Sequence, residues 1–139
     1  MEALIHEKIP YFGEEGLSCA ESTLRYLIEQ GVVDLPLNTV RMMTGMHGNM
    51  GRDANCGAVN GAVAAIGAKL GRLEPGEDMS KLYQVVEAFM KEFEEKFGSV
   101  KCLGLLDGRD MTTVEEQGRC STYVLEAAEI VTRLLKEAE

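Results

Sequence analysis

Hydrophobic residues recur at helical spacing along most of the chain. The first such stretch follows Ser18-Cys-Ala-Glu21, a capping box that marks a helix start, and Gly31 marks its end. The clearest amphipathic stretch ends at Gly98, and its apolar positions are Leu82, Val85, Val86, Phe89, Met90, Phe93 and Phe97. No run of alternating polar and apolar residues favours a strand. The pattern therefore predicts an all-α fold, a bundle of five to six helices.

Shorter patterns and turn residues predict the other elements. The central helix is expected to follow a glycine-rich loop over residues 45–53, with Asp53 or Asn55 as its cap, and to end at Gly71. The remaining elements are a short helix over 38–43, a turn over 74–78, a short helix capped by Ser99 and ending at Leu106, a turn over 107–110, and a last helix over 120–136 with Ser121 or Thr122 as a candidate cap.

Length and charge limit the class of protein. A chain of 139 residues suits one domain, residues 1–139. The 23 acidic residues exceed the 14 basic ones, for a net charge of −9, which argues against nucleic acid and anionic membranes as partners. No apolar stretch approaches the roughly 18 residues of a membrane span, and the N-terminus lacks the pattern of a signal peptide. We therefore expect a cytoplasmic protein, where cysteines serve redox or metal chemistry more often than permanent disulfides.

The four cysteines are the candidate functional residues. Each of Cys19, Cys56, Cys102 and Cys120 is predicted to lie in or beside the first turn of a helix. The N–H groups and positive dipole end of a helix start favour thiolate and lower a cysteine pKa. Thiolates are the nucleophiles of disulfide exchange and soft metal ligands. The alternative is that these are inert core residues, because unpaired cysteines are often buried.

Helix faces and spacing separate these alternatives only in part. Cys19 is predicted to lie off the apolar face of its helix, beside Thr23, which is an unusual place for a packing residue. Cys120 shares a face with Val124 and Val131, so burial alone explains it. The absence of a C-x-x-C motif excludes a thioredoxin-type site and disfavours a zinc ribbon or knuckle.

The segment around Cys56 is the most specific part of the sequence. Gly57 and Gly61 share a helix face with Ala64 and Ala68, and such small residues let a second backbone, a cofactor or a second copy of the chain approach closely. Tight helix packing is the alternative to a cofactor-binding role. In the preceding loop, His47 is a candidate ligand or acid–base group and Arg52 a candidate stabiliser of a thiolate, although a solvated histidine and a surface arginine explain both.

The cysteine pattern resembles a known family. Cys19, then Cys56-Gly-Ala-Val-Asn-Gly61, then Cys102 and Cys120, is similar over nearly the whole chain to the redox-active protein family called C_GCAxxG_C_C, which has a CGAxxG motif and four cysteines. The resemblance implies that all four cysteines belong to one site with a redox role, with or without a bound metal or cluster. It implies no substrate.

Three functional hypotheses follow. In the first, the chain is a thiol-based redox protein, of the oxidoreductase class if it is an enzyme. Two cysteines cycle between dithiol and disulfide with a partner protein or a small thiol, and Cys56 is the reactive thiol because its glycines admit the partner. In the second, the four cysteines hold an iron–sulfur cluster or zinc without catalysis. In the third, the cysteines are inert and the protein is a helical interaction module. The sequence leaves the cysteine pairing open.

Overall fold

The computed structural model describes residues 7–13, 16–47, 54–106 and 119–139. Within these ranges the chain contains six helices and no strand, which confirms the prediction of an all-α fold with five to six helices. In chain order the elements are α1 (Cys19–Glu29), a 3₁₀ helix (Leu37–Met46), α2 (Gly57–Leu70), α3 (Ser80–Phe97), α4 (Cys102–Leu106) and α5 (Arg119–Glu137). Of the helices described, none combines the length and apolar character needed to span a bilayer.

Capping explains where two of these helices begin and end. The Ser18 hydroxyl accepts the N–H of Glu21 at 3.3 Å, and the Glu21 carboxylate accepts the N–H of Ser18 at 3.1 Å. This reciprocal pair satisfies N–H groups that a helix start leaves without a partner, and it confirms the predicted capping box. α3 ends at Gly98, whose φ of 88° is a left-handed conformation that glycine adopts without strain.

The predicted start of α2 is wrong. The N-cap is Cys56 and not Asn55, which lies just before it in an isolated antiparallel bridge with Lys101. Asp53, the other predicted cap, lies outside the described residues, as do residues 48–53 of the predicted loop.

Two further boundaries differ from the prediction. The helix predicted over 38–43 is a 3₁₀ helix that continues to Met46, where hydrogen bonds from α1 and α2 hold it. α5 begins at Arg119, so Ser121 lies inside the helix and is buried instead of acting as a cap; Thr122 also lies inside it. The predicted turn over 107–110 lies outside the part of the chain that the structure describes.

The core is one cluster to which α1, α2, α3 and α5 all contribute. Its largest fully buried side chains are Phe89, Phe93, Ile9, Leu27, Ile66, Leu135, Val59, Val124 and Val131. Within α3 the ring centroids of Phe93 and Phe97 are 4.8 Å apart, and Phe97 in turn joins α3 to α5, with its centroid 4.9 Å from that of Tyr123; both contacts are edge to face. This geometry adds to the free energy of burial because each ring edge meets a ring face.

Truncation of the central aromatic residue is expected to destabilise the fold. Phe93 is fully buried, so Phe93→Ala should lower the free energy of unfolding by about 3–5 kcal/mol through lost burial and the cavity left behind. Tyr83→Ala is the control on the same helix, because Tyr83 is 61 % exposed, and it should change stability by less than about 0.5 kcal/mol. Urea denaturation measures both, and equal losses would contradict this description of the core.

Candidate functional site: the cysteine cluster

Each of the four cysteines begins a helix. Cys19 is the first residue of α1, Cys56 is the N-cap of α2, Cys102 is the first residue of α4, and Cys120 is the second residue of α5. The predicted placement at helix starts is therefore confirmed. All four are thiols rather than disulfides. Cys56 is only 6 % exposed, whereas the other three are partly exposed.

The close approach of α1 to α2 brings Cys19 towards Cys56. A Cβ built on Gly61 would lie 2.8 Å from the carbonyl oxygen of Ala20 and 2.8 Å from the Cβ of Thr23, so only glycine permits this contact. The contact lies within about one and a half turns of each cysteine, and the two helix starts are therefore neighbours.

This contact decides between the two interpretations of the small-residue face. Tight helix packing is confirmed at Gly61, since α1 fills the space that was predicted to admit a cofactor, a partner or a second copy of the chain. The same packing explains why Thr23, beside Cys19 on the helix surface, is fully buried. The prediction that Cys19 lies on a face away from the core is therefore wrong: Cys19 packs against the core cluster.

A short backbone pairing joins Cys56 to Cys102. Asn55 and Lys101 face each other in an antiparallel bridge. The N–H of Cys56 donates to the carbonyl of the residue before Lys101 at 2.8 Å, and the N–H of Cys102 donates to the carbonyl of the residue before Asn55 at 2.9 Å. These two hydrogen bonds hold the backbones of Cys56 and Cys102 together at the starts of α2 and α4. Sequence analysis missed the bridge because one residue pair has no alternating pattern.

Burial controls the protonation of Cys56. Removal from water raises the pKa of the Cys56 thiol well above its usual range. Negative charge on the neighbouring sulfurs of Cys19 and Cys120 raises it further. Hydrogen bonds from the backbone N–H groups of Ala58 and Val59 lower this pKa, but by less than burial raises it. The predicted lowering of the pKa at this helix start is therefore wrong, because desolvation outweighs the helix terminus.

This electrostatic environment also changes the role expected of Cys56. The thiolate is the nucleophile in disulfide exchange, and a buried, protonated thiol is a poor first attacker. The Cys56 thiol is buried, and α1 occupies the space at Gly61 through which a partner was predicted to approach it.

The carboxylate of Glu21 links the start of α1 to the 3₁₀ helix. Burial opposes its ionisation, but hydrogen bonds from Ser18 and Thr44, together with the nearby charge of His47, hold the pKa of Glu21 below its usual range. His47 is exposed at the end of the 3₁₀ helix and acts on this carboxylate. Arg52, the other candidate in this region, lies outside the described residues.

The described residues do not form a metal site. No set of three or more His, Cys, Asp and Glu side chains in these ranges, which include all four cysteines, is arranged to hold a metal ion. A four-cysteine zinc site needs every sulfur about 2.3 Å from one point. The described residues do not meet that requirement.

Comparison with known proteins agrees with the cysteine pattern. The family model described as "Putative redox-active protein (C_GCAxxG_C_C)" matches residues 17–134. A protein of Archaeoglobus fulgidus, named only "Uncharacterized protein", is 28 % identical in a match 134 residues long. The match covers 88 % of this chain and 87 % of that protein. No solved structure matches the chain.

A side chain at Gly61 is expected to separate α1 from α2. Gly61→Ala should destabilise the protein, although alanine is the better helix former, because the new Cβ meets backbone of α1. Gly67→Ala is the matched control in the same helix: a Cβ there meets nothing within 4 Å, and the change should stabilise the protein by up to about 1 kcal/mol. Thermal unfolding distinguishes the two, and similar shifts of Tm in both variants would contradict the close contact.

Alkaline pH is expected to weaken the fold through Cys56. Because its folded-state pKa is raised, the stability that the protonated thiol contributes is complete below the ordinary cysteine pKa and is lost as pH rises towards the folded value. Between neutral pH and about pH 9.5 this loss is about 1.4 kcal/mol for an unfolded-state pKa of about 8.5.

Cys56→Ser removes the titrating group and tests this linkage. Urea denaturation of both proteins at the two pH values gives the difference in pH dependence, which cancels the cost of the substitution itself. The variant should lose less stability than the unaltered protein between the two pH values. Parallel losses would show that Cys56 titrates normally in the folded state.

Proposed function

Because this chain belongs to the redox-active protein family C_GCAxxG_C_C, we propose that it is a thiol–disulfide redox protein in which Cys19 and Cys56 form the working pair. One observation carries the choice of pair: the contact of α1 with α2 at Gly61 sets the partly exposed Cys19 beside the buried Cys56. Cys19 also raises the pKa of Cys56 more than Cys120 does.

The two thiols are suited to different steps. Cys19 is partly exposed at the start of a capped helix, where the positive end of the helix dipole stabilises negative charge, and it is therefore the thiol that attacks an incoming disulfide. Cys56 is shielded from solvent and acts second, as the resolving thiol, because its reaction needs only the sulfur of Cys19. This division reverses the role that the sequence suggested for Cys56.

The thiol–disulfide exchange proceeds in two steps. The Cys19 thiolate attacks one sulfur of a partner disulfide, forms a mixed disulfide and expels the other partner sulfur as a thiolate. The Cys56 thiol gives its proton to that departing thiolate and attacks the sulfur of Cys19. The second partner thiolate leaves and takes the proton of the original Cys19 thiol. The protein loses two electrons and two protons, and one partner disulfide becomes two thiols.

Cys102 and Cys120 remain thiols in this cycle and tune Cys56. Burial is the main cause of the raised pKa of Cys56, and the neighbouring Cys19 and Cys120 raise it further, so the resolving thiol stays protonated until the mixed disulfide has formed. Backbone pairing through the Asn55–Lys101 bridge holds Cys56 in place at the start of α2, and Cys102 lies at the end of that pairing. The partner is a small-molecule or protein disulfide.

Trapping of the mixed disulfide tests this proposal. The reduced protein is treated with oxidised glutathione and its mass is measured after quenching with acid. The unaltered protein should lose two hydrogens and carry no adduct, because Cys56 resolves the intermediate. Cys56→Ser should retain one glutathione on Cys19. Cys102→Ser is the matched control, and it should still form the internal disulfide.

A second variant separates chemistry from folding. Cys19→Ser leaves the buried thiol in place and should form neither the internal disulfide nor an adduct on Cys56. An internal disulfide that forms in Cys19→Ser as fast as in the unaltered protein would refute the assignment of the pair. So would an adduct-free Cys56→Ser protein that still loses two hydrogens.

A further inference from the structure

The 3₁₀ helix is tied to the starts of both helices that carry the working pair. One oxygen of Glu21 accepts the N–H of Ser18 beside Cys19, and the other accepts the hydroxyl of Thr44 at 2.9 Å. The side-chain amide of Asn60 donates to the carbonyl of Met46 at 2.8 Å. The backbone N–H of Asn60 also donates to the carbonyl of Cys56, at 3.0 Å. Each tie therefore starts from a residue within one turn of a cysteine.

The inner side of this segment belongs to the same core as Cys56. Met43 is 2 % exposed and lies in the cluster that contains Cys56, whereas Met42 is 72 % exposed on the outside. A 3₁₀ helix of ten residues is long for this geometry, whose hydrogen bonds are poorer than those of an α-helix. The segment therefore depends on its ties to α1 and α2 for its position.

We propose that Glu21 and Asn60 are positioning residues that hold residues Leu37–Met46 as a strap across the thiol site, and that opening of this strap controls access to Cys56. The biological meaning of this gate rests on the proposed function, because a resolving thiol must be hidden from solution while Cys19 remains reachable. Asn60, one of the two variable positions of the CGAxxG motif, thereby gains a role of its own.

Single substitutions can open the strap without unfolding the protein. Loss of one hydrogen bond of ordinary strength shifts an opening equilibrium about fivefold. Asn60→Ala removes the tie to Met46 and places the best helix former inside α2, so the helix itself is not weakened. Thr44→Val removes the hydroxyl that Glu21 accepts and keeps the size of the side chain.

Site-resolved alkylation measures how far opening of the strap exposes Cys56. The reduced full-length protein is exposed to iodoacetamide, a small neutral reagent, and mass spectrometry of peptides gives separate rates for Cys56 and Cys19. Asn60→Ala and Thr44→Val should each raise the rate at Cys56 about fivefold and leave the rate at Cys19 unchanged. Global stability, measured by urea denaturation, serves to identify any variant that acts by unfolding.

Two matched variants complete the design. Thr39→Val removes a hydroxyl that donates to the Pro36 carbonyl at the far end of the strap, and it should leave the rate at Cys56 unchanged. Thr44→Ser keeps the hydroxyl and should restore the rate of the unaltered protein. A purely structural role for Thr44 would not produce this rescue together with an unchanged rate at Cys19.

The proposal is overturned if Cys56 reacts at the same rate in Asn60→Ala, Thr44→Val and the unaltered protein. It is also overturned if Cys56 and Cys19 accelerate together in proportion to lost stability, because access would then follow global unfolding. Alkylation requires no disulfide chemistry, so this result is separate from the glutathione experiment. A gate without an internal disulfide would refute the proposed function alone.

Discussion

The approach of α1 to α2 at Gly61 is the constraint on which the site depends. No side chain larger than hydrogen fits between this glycine and the backbone of α1, and the contact fixes the two helix starts side by side. Cys19 and Cys56 are neighbours because the starts of α1 and α2 lie side by side. Gly61 therefore acts in the proposed chemistry only indirectly, through packing, and the burial of Thr23 follows from the same contact.

Two opposing effects then determine what each thiol can do. A helix start favours a thiolate, and burial favours a thiol. At Cys56 burial is the larger effect, so its pKa is raised despite the N–H groups of Ala58 and Val59. Cys19 also begins a helix but remains partly exposed. The difference in exposure, more than any difference in local sequence, separates an attacking from a resolving thiol in the proposed cycle.

Sequence patterns predicted the helices well because capping boxes, apolar faces and glycine stops act locally. Ser18, Glu21 and Gly98 are examples, and the placement of the cysteines at helix starts followed from them. Features that depend on distant segments were missed. Asn55 pairs with Lys101 in a bridge and Cys56 is the N-cap of α2 in its place, and the burial of Cys56 reversed the expected direction of its pKa shift. The motif showed that Gly61 needed to be small, but only the fold shows that α1 is what approaches it.

The central claim is that two neighbouring thiols form one two-electron couple, and an equilibrium redox titration tests it most directly. The protein is equilibrated without oxygen in dithiol–disulfide buffers of stepped potential, quenched, and the remaining thiols are counted and mapped. We expect two thiols to disappear together, with a tenfold change in the ratio of oxidised to reduced protein per about 30 mV, and with Cys19 linked to Cys56. Retention of all four thiols across the range, or a disulfide that excludes Cys56, would contradict the account.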